Sequence, residues 1–137
     1  MEKHDWLLLA IGDQIEPIQL QKTLFKFAME SGAPVDELYQ FCPYNWGPYS
    51  SEIYDGLAEM REKGLVEFMP SGRGWNLYRL VKAGEKRQRM LRKDAGSRLL
   101  KKLDNARKYV TSRDFETLLS DIYKDYPDFA TETLFRR

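Results

Sequence analysis

The 137 residues predict a mainly α-helical fold with one β-hairpin, a winged helix-turn-helix followed by C-terminal helices. Three observations carry that prediction. Apolar residues recur at helical spacing over most of the chain. The period drops from 3.6 to 2 on both sides of one glycine-rich turn, Pro70 to Gly74. That switch follows the early helices, and three more helical stripes come after it. Residues 1–81 are expected to form the winged-helix core and 82–137 a helical extension of the same single domain.

Each element has a local reason. Asp5 to Asp13 reads as a short helix whose Trp6, Leu7, Leu8, Leu9 and Ile11 leave little polar face, so it is expected to be buried on most sides. Pro17 suits the first turn of a second helix, with Leu20, Leu24 and Phe27 as its stripe and Ser31-Gly32 as its end. Val35 to Phe41 reads as a short helix or turn. The aromatic stretch Phe41 to Tyr49 is turn-rich and leads into Ser50 or Ser51, either of which can cap a helix reaching Lys63. Ile53, Leu57 and Met60 share one face of that helix. Leu65–Met69 and Trp75–Val81 are the hairpin strands. Beyond them, Ala83 to about Lys93 is helical and basic, and Ala95-Gly96 breaks it. Ser97 is the expected cap of a helix with the stripe Leu99, Leu103, Ala106, Val110. Thr111 or Ser112 is the expected cap of a last helix with Phe115, Leu118, Leu119, Ile122 and Tyr126 on its core face. Pro127 stops it.

Composition bounds the class. With 42% hydrophobic and 31% charged residues the chain is globular rather than disordered. One cysteine, Cys42, excludes an intramolecular disulfide. The longest apolar run, Trp6 to Ile11, is too short to span a bilayer, and with Glu2 and Asp5 before it does not read as a signal peptide. A cytoplasmic protein with no membrane partner is the expectation. The net charge of +1 conceals an asymmetry. Met1–Tyr78 carries six basic and twelve acidic residues, net −6, while Arg79–Lys108 carries twelve basic and three acidic, net +9. Such a segment suits an anionic partner, an acidic protein surface, or a solvated helix face balanced by the acidic half.

Leu20-Gln21-Lys22, then Tyr44-Asn45-Trp46-Gly47-Pro48-Tyr49-Ser50, then Ile53, Tyr54, Leu57 and Gly64-Leu65-Val66 form a pattern. It resembles the Panacea, or SocA-like, family of winged-helix antitoxins and proteolytic adaptors. Members carry a leucine-glutamine-lysine helix and a tyrosine-x-tyrosine-glycine-proline-phenylalanine-serine turn. Trp46 and Tyr49 stand where that pattern has tyrosine and phenylalanine. The resemblance covers roughly Pro17 to Val66. It implies a prokaryotic or phage setting and no catalytic activity, and it names no target.

Two functional readings stand at this point. In the first, the chain is a winged-helix transcription regulator or antitoxin that binds DNA. The helix before the hairpin would normally enter the major groove, but Glu52, Asp55, Glu59 and Glu62 make it acidic. The DNA contacts are therefore assigned to Arg73 and Arg79 of the hairpin and to Lys82, Lys86, Arg87, Arg89, Arg92, Lys93, Arg98, Lys101 and Lys102. In the second, the chain is a protein–protein adaptor. Tyr44, Trp46 and Tyr49, with Glu52, Asp55 and Glu59, would meet a basic partner such as a toxin or a regulatory subunit. A homodimer through the C-terminal stripes is a further expectation. No catalytic, metal or cofactor site is expected. His4 reads as an incidental terminal residue, Cys42 as a small core residue, Ser71 to Gly74 as a turn, and Asp121, Asp125 and Asp128 as a solvated face.

Overall fold

The structure, a computed structural model, describes residues 1–32 and 38–135. It is mainly helical with a small antiparallel sheet. In chain order the elements are α1 (Lys3–Ile11), β1 (Gln14–Ile15), α2 (Pro17–Ser31), α3 (Ser51–Glu62), β2 (Val66–Pro70), β3 (Asn76–Leu80), α4 (Lys82–Asp94), α5 (Ser97–Thr111) and α6 (Phe115–Asp125). A 3₁₀ turn, Pro127–Ala130, follows.

Helix α1 starts where the Glu2 backbone N–H donates to Asp5 Oδ2 at 2.8 Å. All six residues from Trp6 to Ile11 are buried, so α1 is the centre of the molecule rather than a surface helix. Its last carbonyls have no partner inside the helix. Side chains from beyond the hairpin satisfy them. Gln88 of α4 donates to Leu8 O and Gly12 O, both at 3.1 Å. Arg107 of α5 donates to Ala10 O and Ile11 O at 3.1 Å and to Gln14 O at 2.8 Å. One buried cluster accordingly joins Trp6, Leu20, Leu24, Phe27, Ile53, Leu57, Val66 and Leu80 to Leu91, Leu103 and Ala106. A second gathers Phe25, Val110, Leu118, Leu119, Ile122 and Tyr123. Phe25 lies on the side of α2 that faces α6, and it meets Phe41, Tyr126 and Phe129 edge-on at 4.8 to 5.4 Å.

The sheet corrects the expectation of a lone hairpin. Its order is β1-β3-β2, with Ile15 opposite Tyr78 and Val66 opposite Leu80. Strand β1 has two residues, too few to show a period, and it forms because β3 offers an open edge. After the hairpin, α4 passes so close to the sheet that a Cβ on Gly84 would lie 2.0 Å from the Leu65 carbonyl oxygen.

Three caps also differ from the expectation. Ser50 precedes α3, but its hydroxyl is buried and makes no capping bond. Gly96 (φ 81°), not Ser97, leads into α5. Asp114, not Thr111 or Ser112, caps α6, accepting from the Thr117 N–H at 2.8 Å. Helix α5 runs through Thr111, so the two hydroxyl residues fall at its C-terminal end instead. Phe115, expected in the core, is 39% exposed because it overhangs the first turn of α6, while Tyr123 is buried in its place. The C-terminal stripes pack within the chain, on α1 and α2, which removes the observation that suggested a dimer. Of the expected element at Val35 to Phe41, residues 35–37 lie outside the described residues, and Leu38 to Phe41 are neither helix nor strand. Among the described residues no helix is long and apolar enough to cross a membrane.

Candidate functional site

The aromatic turn before α3 is fixed by two neighbouring side chains of α2. Gln21 uses both ends of its amide on one residue: Nε2 donates to Ser50 O at 3.0 Å, and Oε1 accepts from the Ser50 N–H at 2.9 Å. Lys22 lies beside it, 3% exposed, and donates from Nζ to Pro48 O at 3.0 Å. Burial lowers the Lys22 pKa from 10.5 to about 7. Gly47 is required at the bend. Its φ is +99°, and a Cβ there would sit 2.9 Å from both Leu119 Cδ2 and Lys22 Cε. A short bridge between Cys42 and Tyr49 closes the turn.

This anchoring presents aromatic rings outward. Tyr44 packs on Tyr49 with centroids 4.8 Å apart, and Tyr49 on Tyr54 of α3 at 5.9 Å. Trp46 meets the edge of Phe115 at 5.7 Å. Trp75, at the base of the hairpin turn, lies under the Arg73 guanidinium at 5.3 Å. Trp46 is 43% and Trp75 42% exposed. Between them runs a groove of about 560 Å³, floored by Pro17 and Ile18 and walled by Trp46, Trp75 and Phe115. A second hollow of about 200 Å³ adjoins it on the other side of Trp46, lined by Tyr44, Tyr49, Tyr54 and Lys22. Tyr44, Trp46 and Tyr49 thus belong to one surface. Tyr54, Trp75, Phe115 and Ile18 share it without having been assigned to a binding surface from the sequence. Trp75 carried a readable signal, a large aromatic beside a two-glycine turn. Phe115 did not, because its spacing matches the core face of α6.

The acidic residues assigned with the turn divide. Glu52 accepts from Lys3 Nζ at 2.6 Å and from the Gln40 N–H at 3.4 Å. The Lys3 hydrogen bond holds its carboxyl below the usual range. Glu59 pairs with Lys63 at 3.1 Å and His4 Nε2 at 3.0 Å. Lys63, then His4, lowers its pKa. Asp55 is exposed and carries no ion pair among the described residues. His4 is therefore not incidental. Its Nδ1 lies 2.6 Å from Tyr39 Oη and its ring covers Gly56, so it seams α1 to α3.

The basic residues divide in the same way. Arg73 pairs with Glu16 at 2.8 Å, and Arg79 pairs with Glu67 across the hairpin. Arg87 lies 3.6 Å from Asp5. Arg92 grips Asp104 of α5 with two nitrogens, at 2.7 and 3.2 Å. Arg98 donates to Ser31 O at 3.1 Å. Lys82, Lys86, Arg89, Lys93, Lys101 and Lys102 are exposed, and none has a hydrogen-bond or ion-pair partner among the described residues.

Groups with chemistry of their own are dispersed. Cys42 is exposed rather than in the core, its thiol 3.4 Å from Tyr49 O. Ser71 Oγ donates to Trp75 O at 2.7 Å, and the Arg73 N–H returns to Ser71 Oγ, so this segment is a self-bonded turn. Asp121 is not merely solvated. It accepts from Tyr109 Oη at 2.7 Å, and burial together with that bond pushes the Tyr109 pKa up to about 12. Asp125 and Asp128 are exposed. Among the described residues no three His, Cys, Asp or Glu side chains gather so as to hold a metal ion. No protein-family model, curated protein or solved structure matches this chain.

Proposed function

We propose that the chain is a non-enzymatic winged-helix protein, regulatory or antitoxin-like, that seats a basic protein partner on its aromatic face. The order α1-β1-α2-α3-β2-β3, with β1 paired to the hairpin, supports the winged-helix reading. The observation that carries the function is the groove between Trp46, Trp75 and Phe115. Large rings left about two-fifths exposed around an apolar hollow resemble the anchor pockets of protein interfaces. The turn that presents them is held by a buried lysine, an unfavourable group to bury for packing alone. Charge indicates the partner's sign, since Arg73 at the groove's edge is neutralised by Glu16 while Asp55, exposed and without an ion pair among the described residues, stands beside Tyr54.

DNA binding is the second reading, and it draws support from a different face. The outer side of α3 carries Asp55, Glu59 and Glu62, and the hairpin arginines are held by Glu16 and Glu67. Groove insertion of α3 is thereby disfavoured. What supports the DNA reading is the row of unpartnered cations on α4.

Selection of displayed random peptides against the full chain tests the first reading. It should enrich sequences in which Lys or Arg flank bulky apolar residues. A synthetic version of the winner should lose about tenfold or more in affinity for Trp46→Ser/Trp75→Ser, each ring being worth about 1–2 kcal/mol at such a site. Enrichment of nothing, or equal affinity for the double variant, overturns the assignment.

A further inference from the structure

Helix α4 has two unlike sides. Gly84 and Leu91 are buried, and Gln88 reaches α1. Lys82, Lys86, Arg89 and Lys93 succeed one another at spacings of four, three and four residues, which places them in a single row on the opposite side. At 1.5 Å per residue the row is about 16 Å long. All four side chains are exposed, and none has a partner among the described residues. Neutralising carboxylates are close but already engaged. Asp5 and Asp104 are taken by Arg87 and Arg92, which flank the row. Of the acidic residues of α4 itself, Asp94 lies off the row, while Glu85, three residues after Lys82 and four before Arg89, borders it without forming an ion pair, and the helix nets +4. The Arg92–Asp104 pair ties α5 alongside, and α5 adds the exposed and unpartnered Lys101, Lys102 and Lys108.

We infer that this face of α4, extended by α5, is a sequence-independent docking strip for the phosphate backbone of duplex nucleic acid. Cations at 4.5 to 6 Å intervals along a rigid rod, roughly by helix geometry, match a polymer whose charges are regular and dense. Helix α4 carries no aromatic residue, so it lacks the stacking platform that single strands use. Its Leu91 is buried in the core, and Met90 is the one large apolar side chain exposed on it, too little to anchor a lipid-inserted helix. The strip rests on the second, DNA-binding reading and is separate from the aromatic groove, so a failure here leaves the protein-binding proposal intact, and the reverse holds too.

The test is anisotropy of a labelled 20-base-pair mixed-sequence duplex titrated with the full chain from 25 to 200 mM KCl (about 20 base pairs and these salts suit the counterion analysis). Binding at low salt with a log–log salt slope of roughly −3 to −4 is expected for about four phosphate contacts. Lys86→Glu/Arg89→Glu should weaken binding about tenfold or more and flatten the slope by about two units. These side chains are exposed and unpartnered, so melting temperature should not change. Trp46→Ser/Trp75→Ser should bind the duplex like the wild type. No duplex binding at 25 mM salt overturns the inference. So does binding that survives Lys86→Glu/Arg89→Glu, or binding to anionic phosphatidylserine vesicles with none to duplex.

Discussion

Lys22 offers the sharpest test of the aromatic turn. Its ammonium is 3% exposed, makes one hydrogen bond, to Pro48 O, and has its pKa lowered to about 7 by burial. In the unfolded chain it titrates near 10.5. Between those values the unfolded state holds more protons than the folded state, so stability rises with pH across the window. Below pH 7 both states are charged, and the full penalty of burying the ammonium is present. Above 10.5 both are neutral, and the penalty is gone. At about 1.36 kcal/mol per unit, and about half that slope at pH 7 itself, the span from pH 7 to 9 is worth roughly 2 kcal/mol. Lys22→Met keeps the length and apolar volume of the side chain and removes its titration. Urea unfolding of both proteins at pH 6, 7, 8 and 9 should therefore show a gap that moves in favour of the wild type by about 2–3 kcal/mol, nearly all of it above pH 7. At pH 9 about 2 kcal/mol of the penalty remains, comparable with the roughly 1–3 kcal/mol lost when methionine leaves the Pro48 carbonyl bare, so the change of the gap with pH, and not its sign at one pH, carries the result. Other groups titrate alike in both proteins and cancel in the difference. A gap that is flat with pH would refute the buried-cation account of the turn.

Other substitutions check the packing. Gly84→Ala places a methyl group 2.0 Å from Leu65 O. The helix-propensity gain of about 1 kcal/mol is smaller than the overpacking penalty of about 1–3 kcal/mol, so the melting temperature should fall by several degrees. Arg107→Ala strips donors from Ala10 O, Ile11 O and Gln14 O. It should destabilise by about 2–3 kcal/mol in urea unfolding, with Arg107→Lys recovering only part, since an ammonium cannot reproduce the fork. Asp114→Ala removes the cap on Thr117 N and should lower the melting temperature, with Asp114→Asn close to the wild type.

The elements that were legible in the sequence are those whose period is long enough to count. Helices α2 to α6 and the hairpin strands each span five residues or more, and most of the stripe residues read in α2, α3, α5 and α6, such as Leu20, Leu24, Ile53, Leu57, Leu103, Val110 and Leu119, are buried, Phe115 being an exception. β1 was not legible, because two residues have no period and their pairing depends on β3, more than sixty positions away. The caps of α5 and α6 were misplaced by the same shortfall. Ser97, Thr111 and Ser112 have the right chemistry for a cap, but the register of α5 decides which residue stands at the boundary, and packing on α2 sets that register. Within the candidate site, Tyr44, Trp46 and Tyr49 were readable as aromatics in a turn. The groove was not, since it requires the hairpin's Trp75 and the first turn of α6 to converge on Trp46. Gln21 and Lys22 were visible only as part of a motif, and the backbone bonds to Ser50 and Pro48 give that motif its physical content.

The basic segment shows why counting charges misleads and which residues to count instead. Of the nine arginines among the described residues, eight are engaged. Six meet a carboxylate, Arg98 meets the Ser31 carbonyl, and Arg61 lies over the Phe68 ring at 4.7 Å. Arg89 alone has no partner. Lysine behaves in the opposite way: past residue 80 it stays in water, as at Lys82, Lys86, Lys93, Lys101, Lys102 and Lys108. The physical reason is the guanidinium itself, weakly hydrated and planar, with five donors that suit carboxylates and backbone carbonyls, whereas the ammonium keeps its water. A +9 segment is thus two populations, a set of arginines that fastens α4 and α5 to the rest of the chain and a row of lysines, with Arg89, that faces outward. Reversing the paired arginines tests stability, and reversing the lysines or Arg89 tests binding. Arg92→Glu should lower the melting temperature through its clash with Asp104, whereas Lys86→Glu should leave it unchanged. If both reversals destabilised alike, the division would fail, and the strip would be part of the fold rather than a surface for a partner.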